Sequence, residues 1–294
     1  AGLLGLGRAN VVFVPCDHQG RMQPQALQQA IQDDIAAGRQ PCMINATAGT
    51  TVLGAFDPIH AIADIAEAHG VWLHVDGAYG GSMVFHPQIR EELAGIERAD
   101  SITWDAHKMM GVPLICSVVL VREKGLLTAA LDESASYLFQ GDDAQFNPGT
   151  RSLQCGRRND ALKLWMAWKR HGDAGYAARM VRLRQLAERV RDRVVQGPGL
   201  RLVREPASLN VVFTVDGVSA DVLCRELNKQ GLAMVGHAIV DGGPVVRMVT
   251  VNPHLTEADV DAFFDKLSKV AAGLRGGRGP AAACNRPAEG EATP

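Results

Sequence analysis

Three short clusters carry groups capable of covalent and acid–base chemistry. Thr47-Ala48-Gly49-Thr50-Thr51 offers hydroxyls around a glycine. Asp76 offers a carboxylate. Asp105-Ala106-His107-Lys108 offers a carboxylate, an imidazole and a primary amine. An amine and a separate carboxylate suit a cofactor with an aldehyde and a basic ring nitrogen. The lysine condenses with the aldehyde, and the carboxylate keeps the ring nitrogen protonated as an electron sink. Pyridoxal phosphate is such a cofactor. Each cluster alone has a plainer explanation. A His-Lys pair is usually surface decoration, an aspartate after a strand usually caps a turn, and a threonine run can bond its own backbone. Their combination in one frame points to a site.

That frame is a βαβ unit. Pro41–Ala46 (PCMINA) reads as a buried strand. Asp57 and Pro58 follow as an N-cap and a first-turn proline. Ile59, Ile62, Ala63 and Ala66 repeat at helical spacing until Gly70. Val71–Asp76 (VWLHVD) is the next strand, and this order implies a parallel sheet. Ser101–Trp104 and Cys116–Val121 continue the pattern. In such a sheet, ligands bind beyond the carboxyl ends of the strands, where all three clusters fall. Lys108 follows Asp76 by 32 positions, which leaves room for one crossover helix.

After Arg158 the texture changes. Asn159 can cap a helix holding Leu162, Trp165 and Trp168 and ending at Gly172. A longer amphipathic helix follows, with Met180, Leu183, Leu186, Val190 and Val194 on one face and arginines on an expected solvated face. Strand-like runs at Leu200–Arg204, Leu209–Val215 and Val245–Val251 alternate with helical segments near 219–229 and 257–270. Thr256 and Asp259 resemble a capping box. The sequence therefore predicts part of a large, mostly parallel α/β domain over 1–158 and a small α+β domain over 159–272. A disordered Gly/Pro/Ala-rich tail is expected over 273–294.

Of the 294 residues, 47% are hydrophobic and 21% charged, and the net charge of −2 gives no reason to expect a nucleic-acid or membrane partner. No apolar run approaches a membrane span. The opening AGLLGLG is a poor signal peptide, lacks the GxGxxG order of a phosphate loop, and has no initiator Met, so the chain is expected to begin mid-protein. Six scattered cysteines read as buried, reduced thiols of a cytoplasmic protein. Nine histidines without ligand spacing predict no metal.

INATAGTTVLGAFDPI, WLHVDGAYGG, ADSITWDAHKMMGV, SYLFQ and LQCGRRNDALKLW occur in this order. Together they resemble group II pyridoxal-phosphate decarboxylases, most of all the animal-type glutamate and cysteine sulfinate decarboxylases. The likeness runs over residues 1–272 and implies the fold-type I architecture and a homodimer. It implies Lys108 as the cofactor-bearing lysine and Asp76 as the partner of the ring nitrogen. Thr51 and Ala78 would touch the cofactor, and Asp105 and His107 would lie near its phosphate. Tyr137, in SYLFQ, would be the mobile-loop tyrosine that reaches across the dimer to protonate the carbon left by CO2. Arg247 would bind a substrate carboxylate. Asp105 stands where most animal members have Asn, and Tyr79 where glutamate decarboxylases commonly have Trp. Family members also carry a long N-terminal segment with further cofactor, substrate and dimer contacts.

The reaction implied is α-decarboxylation of an acidic amino acid, glutamate first, then aspartate or cysteine sulfinate. The alternatives are another fold-type I enzyme such as an aminotransferase, or an inactive piece serving only folding or assembly.

Overall fold

The structure, a computed structural model, describes residues 2–131, 148–154 and 156–276. Tyr137 and residues 277–294 lie outside that range. Strands β1 (Met43–Thr47), β2 (Trp72–Asp76) and β3 (Ser101–Asp105) are parallel and adjacent in that order. Between β1 and β2 runs α2 (Ile59–His69). Its helical repeat buries Ile59, Ile62, Ala63, Ile65 and Ala66 in the same core as Ile44 and Ala46 of β1 and Leu73 and Val75 of β2. Gly70 ends α2 in the left-handed conformation, at φ 63°. A helix not foreseen in the sequence, α1 (Pro24–Ala36), packs on α2 with Pro24 in its first turn.

Asp57 does not cap α2; Pro58 occupies that place. The Asp57 carboxylate instead accepts from the backbone N–H of Met22 and of Thr47, both at 2.7 Å. It thus ties the segment before α1 to the end of β1. Burial raises its pKa, opposed by these two hydrogen bonds.

The β2–β3 crossover contains no α-helix. Three 3-10 turns, Gly80–Phe85, Ile89–Leu93 and Ile96–Arg98, fill it. Pro87 lacks the N–H a helix would use, and Gly95 takes φ 93°. Strand β4 (Ser117–Val121) departs from the expected pattern by running antiparallel to β3. The link 106–116 is shorter than the dozen or so residues a parallel crossover needs. α2 covers one face of this sheet. Met43 on the other face, and Val119 and Leu120 on β4, are half exposed or more.

After α3 (Leu126–Leu131), the long α4 (Asp160–Gln196) starts at Asn159, whose side chain accepts from Leu162 N–H. Gly172 interrupts it at φ 64°, ψ 177°, where the sequence placed a helix end. Beyond this break Tyr176, Met180, Leu183, Leu186, Val190 and Val194 are buried. The second sheet is antiparallel throughout, in the order β5 (Leu200–Leu202), β6 (Asn210–Val215), β8 (Gly243–Val249), β7 (Gly236–Val240). β7 is a largely exposed edge strand without a strong apolar run, and it was missed in the sequence. α5 (Ala220–Lys229) and α6 (Glu257–Gly276) complete this half. α6 begins with the reciprocal Thr256–Asp259 bonds of a capping box. It includes residues 273–276, which the sequence reading had assigned to the tail.

The arginine face of α4 is less free than expected. Arg184 donates to the carbonyls of Pro206 and Ser208 at 2.6 and 2.8 Å, and Arg179 to that of Met110. Arg189 forms a two-pronged pair with Asp261 of α6. Of the four described cysteines, Cys116 and Cys224 are buried, but Cys16 and Cys42 are exposed, contrary to expectation.

Asp57→Ala should leave two backbone N–H groups without an acceptor and lower unfolding free energy by about 2–4 kcal/mol. Asp57→Asn, which keeps one acceptor oxygen, should cost roughly half as much. Urea denaturation of the purified protein measures both.

Candidate active site

The parallel register sets the site. Thr47 pairs with Asp76, and Asp76 with Thr103, so β1 and β2 end level at one rim and β3 runs two residues further, to Asp105. The chain passes from each into one of the clusters singled out in the sequence.

Beyond β3, Ala106, Met109 and Met110 are almost fully buried, while the Lys108 side chain stays 38% exposed. Apolar anchors thus pin a tight turn that presents one amine. Lys108 Nζ lies 3.0 Å from Asp105 Oδ2, and His107 Nε2 is 3.8 Å from the same oxygen. His107 Nδ1 faces the backbone of Cys116, 3.1 Å from its oxygen and 3.2 Å from its nitrogen. A proton on Nε2, towards Asp105, leaves Nδ1 to accept from Cys116 N–H. Arg179 of α4 closes the turn from outside through the Met110 carbonyl.

At the end of β2, Asp76 Oδ1 accepts from Ala78 N–H at 3.0 Å, which fixes the carboxylate and leaves Oδ2 for a ligand. The Ala78 carbonyl in turn accepts from Asp105 N–H at 3.2 Å. Ala78 therefore joins two of the strand ends through its backbone. His74 lies two residues earlier on the same side of the sheet. Ser101 Oγ (2.8 Å) and Thr103 Oγ1 (3.2 Å) hold its ring. Burial pushes the His74 pKa down, outweighing Asp76, so a neutral ring sits beside the carboxylate.

The Thr47–Thr51 turn meets the β2 end through two glycines. Gly80 N–H donates to the Ala48 carbonyl at 2.9 Å. A Cβ on Gly80 would stand 2.5 Å from that carbonyl oxygen, and a Cβ on Gly49 2.7 Å from the Gly80 backbone. Gly49 also has φ 87°. Thr51 is exposed beside this contact.

Arg247 comes from β8 of the second sheet. Its Nε is buried without a hydrogen-bond partner among the described residues. Its charge acts on Tyr79, the neighbour of Ala78. Asp76, Ala78, Asp105, His107 and Lys108 thus form one group. Thr51 adjoins it through the glycine contact, Arg247 approaches from the other sheet, and Tyr137 is outside the described residues. The sequence reading named Gly49 only as part of the threonine turn and assigned no role to Gly80 or Asn210. The only sign of Asn210 was a polar residue near the start of a mostly apolar run. Among the described residues, no cluster could hold a metal and no helix is long and apolar enough to cross a membrane.

Residues 2–216 match the pyridoxal-dependent decarboxylase conserved domain, and the chain belongs to that family. Mouse CSAD is 37% identical, with a TM-score of 0.86 over 92% of this chain and 60% of its own. The Oryza sativa TDC structure with PLP and tryptamine is 30% identical, with a TM-score of 0.85 over 93% of this chain and 60% of its own. A glutamate decarboxylase domain from Vibrio parahaemolyticus, part of a protein described as diaminobutyrate-pyruvate transaminase and L-2,4-diaminobutyrate decarboxylase, is 30% identical. It has a TM-score of 0.80 over 93% of this chain and 55% of its own. The architecture is that of fold-type I pyridoxal-phosphate decarboxylases, and the chain spans about 60% of the length of the first of these relatives.

The donor set fits the cofactor of this family: an exposed amine, a carboxylate with one free oxygen, and a hydroxyl-bearing turn held against them. Gly80→Ala should force the two loops apart. It should lower unfolding free energy by about 1–3 kcal/mol and weaken pyridoxal-phosphate binding, read from cofactor absorbance. Gly273→Ala, in α6 with open space around it, should bind the cofactor normally and gain about 0.5–1 kcal/mol.

Proposed function

We propose that this member of the pyridoxal-dependent decarboxylase family carries most of the catalytic centre of an α-decarboxylase for acidic amino acids. Glutamate is the first candidate, then aspartate or cysteine sulfinate. The observation that carries the choice of substrate class is Arg247, a guanidinium whose buried Nε lacks a partner among the described residues, brought to the rim beside Tyr79. A carboxylate satisfies such a group with a charge-assisted, two-pronged hydrogen bond. The 37% identity to mouse CSAD supports this choice, whereas the Vibrio protein combines a glutamate decarboxylase domain with decarboxylation of 2,4-diaminobutyrate, whose side chain is cationic.

When bound, pyridoxal phosphate supplies the cationic ring that takes up the electron pair left by the departing carboxyl. The chain's own residues do the rest. Lys108 Nζ is the amine that holds the cofactor covalently. Asp105 keeps that amine aimed at the rim before the cofactor arrives. Asp76 Oδ2 holds the proton on the ring nitrogen, and the Ala78 N–H keeps the carboxylate turned for the task. Thr51, Ala78 and His107 would hold the cofactor from the flanking turns. Arg247 orients the substrate by a carboxylate. Tyr137 returns a proton to the substrate carbon, reaching the site of a second copy in a homodimer. We read residues 1–158 as part of the large domain and 159–276 as the small one.

Three expectations follow for the whole protein supplied with pyridoxal phosphate. Borohydride reduction and peptide mapping should label Lys108, and Lys108→Ala should abolish the label and CO2 release. A label on another lysine would displace the assignment. Asp76→Asn should retain the borohydride label but lose most turnover, because an amide cannot hold the ring proton as a carboxylate does. Arg247→Met should raise KM for glutamate or cysteine sulfinate by about tenfold or more, the loss of a charge-assisted bond, with cofactor affinity unchanged. An equal loss of both affinities would make Arg247 a structural residue.

A further inference from the structure

Asn210 opens β6 and is 1% exposed. Its side chain is spent entirely on the rim of the other sheet. Nδ2 donates to the carbonyls of Thr51 and Val52, both at 3.0 Å. Oδ1 accepts from the Tyr79 hydroxyl at 2.5 Å. One amide therefore joins the turn after β1, the turn after β2 and the second sheet. Ser208, fully buried two residues earlier, donates to the Gly54 carbonyl at 3.3 Å and fills the space a side chain on Gly54 would need.

The register places this junction next to Arg247. Val212 pairs with Arg247 and Asn210 with Val249. Side chains two apart on a strand share a face, so Asn210 and Arg247 are diagonal neighbours on one face of the sheet. Burial raises the Tyr79 pKa against the pull of Arg247, so the hydroxyl keeps its proton and acts as the donor.

We infer that Asn210 is a positioning residue, which sets the substrate end of the site through Tyr79 and the cofactor end through the Thr51–Val52 backbone. The two functions separate because they use different atoms of one amide. Tyr79→Phe removes only the bond to Oδ1, which frees the Tyr79 ring beside Arg247 and leaves the Thr51 turn held. Asn210→Ala removes all three bonds. This inference rests on the decarboxylase reading above.

The test uses the whole protein loaded with pyridoxal phosphate, with glutamate or cysteine sulfinate, whichever the wild type turns over, as substrate. Tyr79→Phe should raise KM about tenfold, the effect of one lost buried hydrogen bond, with an unchanged dissociation constant for pyridoxal phosphate. Asn210→Ala should raise both by about tenfold and alter the near-ultraviolet dichroism of the bound cofactor. In the double variant, Tyr79→Phe should add nothing further to KM, because its partner is already gone. Melting temperature of the cofactor-free protein separates position from fold. If both variants merely melt earlier, with KM and cofactor affinity as in the wild type, Asn210 is structural and the inference falls. Additive effects in the double variant overturn it as well. A wild type that binds the cofactor yet releases no CO2 would instead overturn the functional reading.

Discussion

Thr47, Asp76 and Thr103 stand in one row because three strands run parallel without a slip in register. A shift of one residue in β2 would turn Asp76 to the opposite face and bury it under α2. The apolar alternation guards against that shift. Leu73 and Val75 lie in the core with Ile44 and Ala46, while Trp72, His74 and Asp76 take the other face. The same hydrophobic burial that fixes the sheet therefore fixes where the carboxylate points. The loops inherit their positions from this row, and the glycine contact between residues 49 and 80 lets two of them meet.

The second sheet reaches that rim through polar contacts, whereas its own interior is held by apolar ones. Val211, Phe213 and Val246 join the core around α4, α5 and α6. Ser208, Asn210 and Arg247 present hydrogen-bonding groups towards the other half. α4 stitches across the same divide, with Arg179 on the Lys108 turn and Arg184 on the segment leading into β6. Its break at Gly172 falls inside an aromatic group, in which Trp168 before it and Tyr176 after it both pack on Phe85.

The βαβ order, the α2 face, the buried stripe of α4 and the capping box at Thr256 were legible because each rests on local periodicity or a short-range bond. So were the rim clusters, since strand ends in such sheets mark ligand sites. Other features depended on contacts distant in sequence. Asp57 looked like a helix cap but its carboxylate serves Met22 and Thr47. The direction of β4 depended on the length of a link, and β7 had no apolar run to announce it. Asn210 bonds to residues more than 130 positions away, and no spacing rule connects it to them. The arginines of α4 read as solvated because Arg179 and Arg184 bond backbone carbonyls, which have no side-chain signature, and Asp261, the partner of Arg189, lies 72 positions away.

The two margins of the parallel sheet have a consequence for handling the protein. Among the described strands, β1 and β4 each pair on one side only. Beside β4 stand Leu114 and Ile115, 72% and 63% exposed, and Val119 and Leu120 on the strand itself are more than half exposed. Such a border offers unpaired backbone donors and acceptors together with sticky side chains, the combination that templates adhesion of another extended segment. This chain expressed by itself would be prone to inclusion bodies or soluble aggregates. Lysines placed on the outward positions of β4 would be the first remedy, because they leave the rim untouched while making strand addition costly.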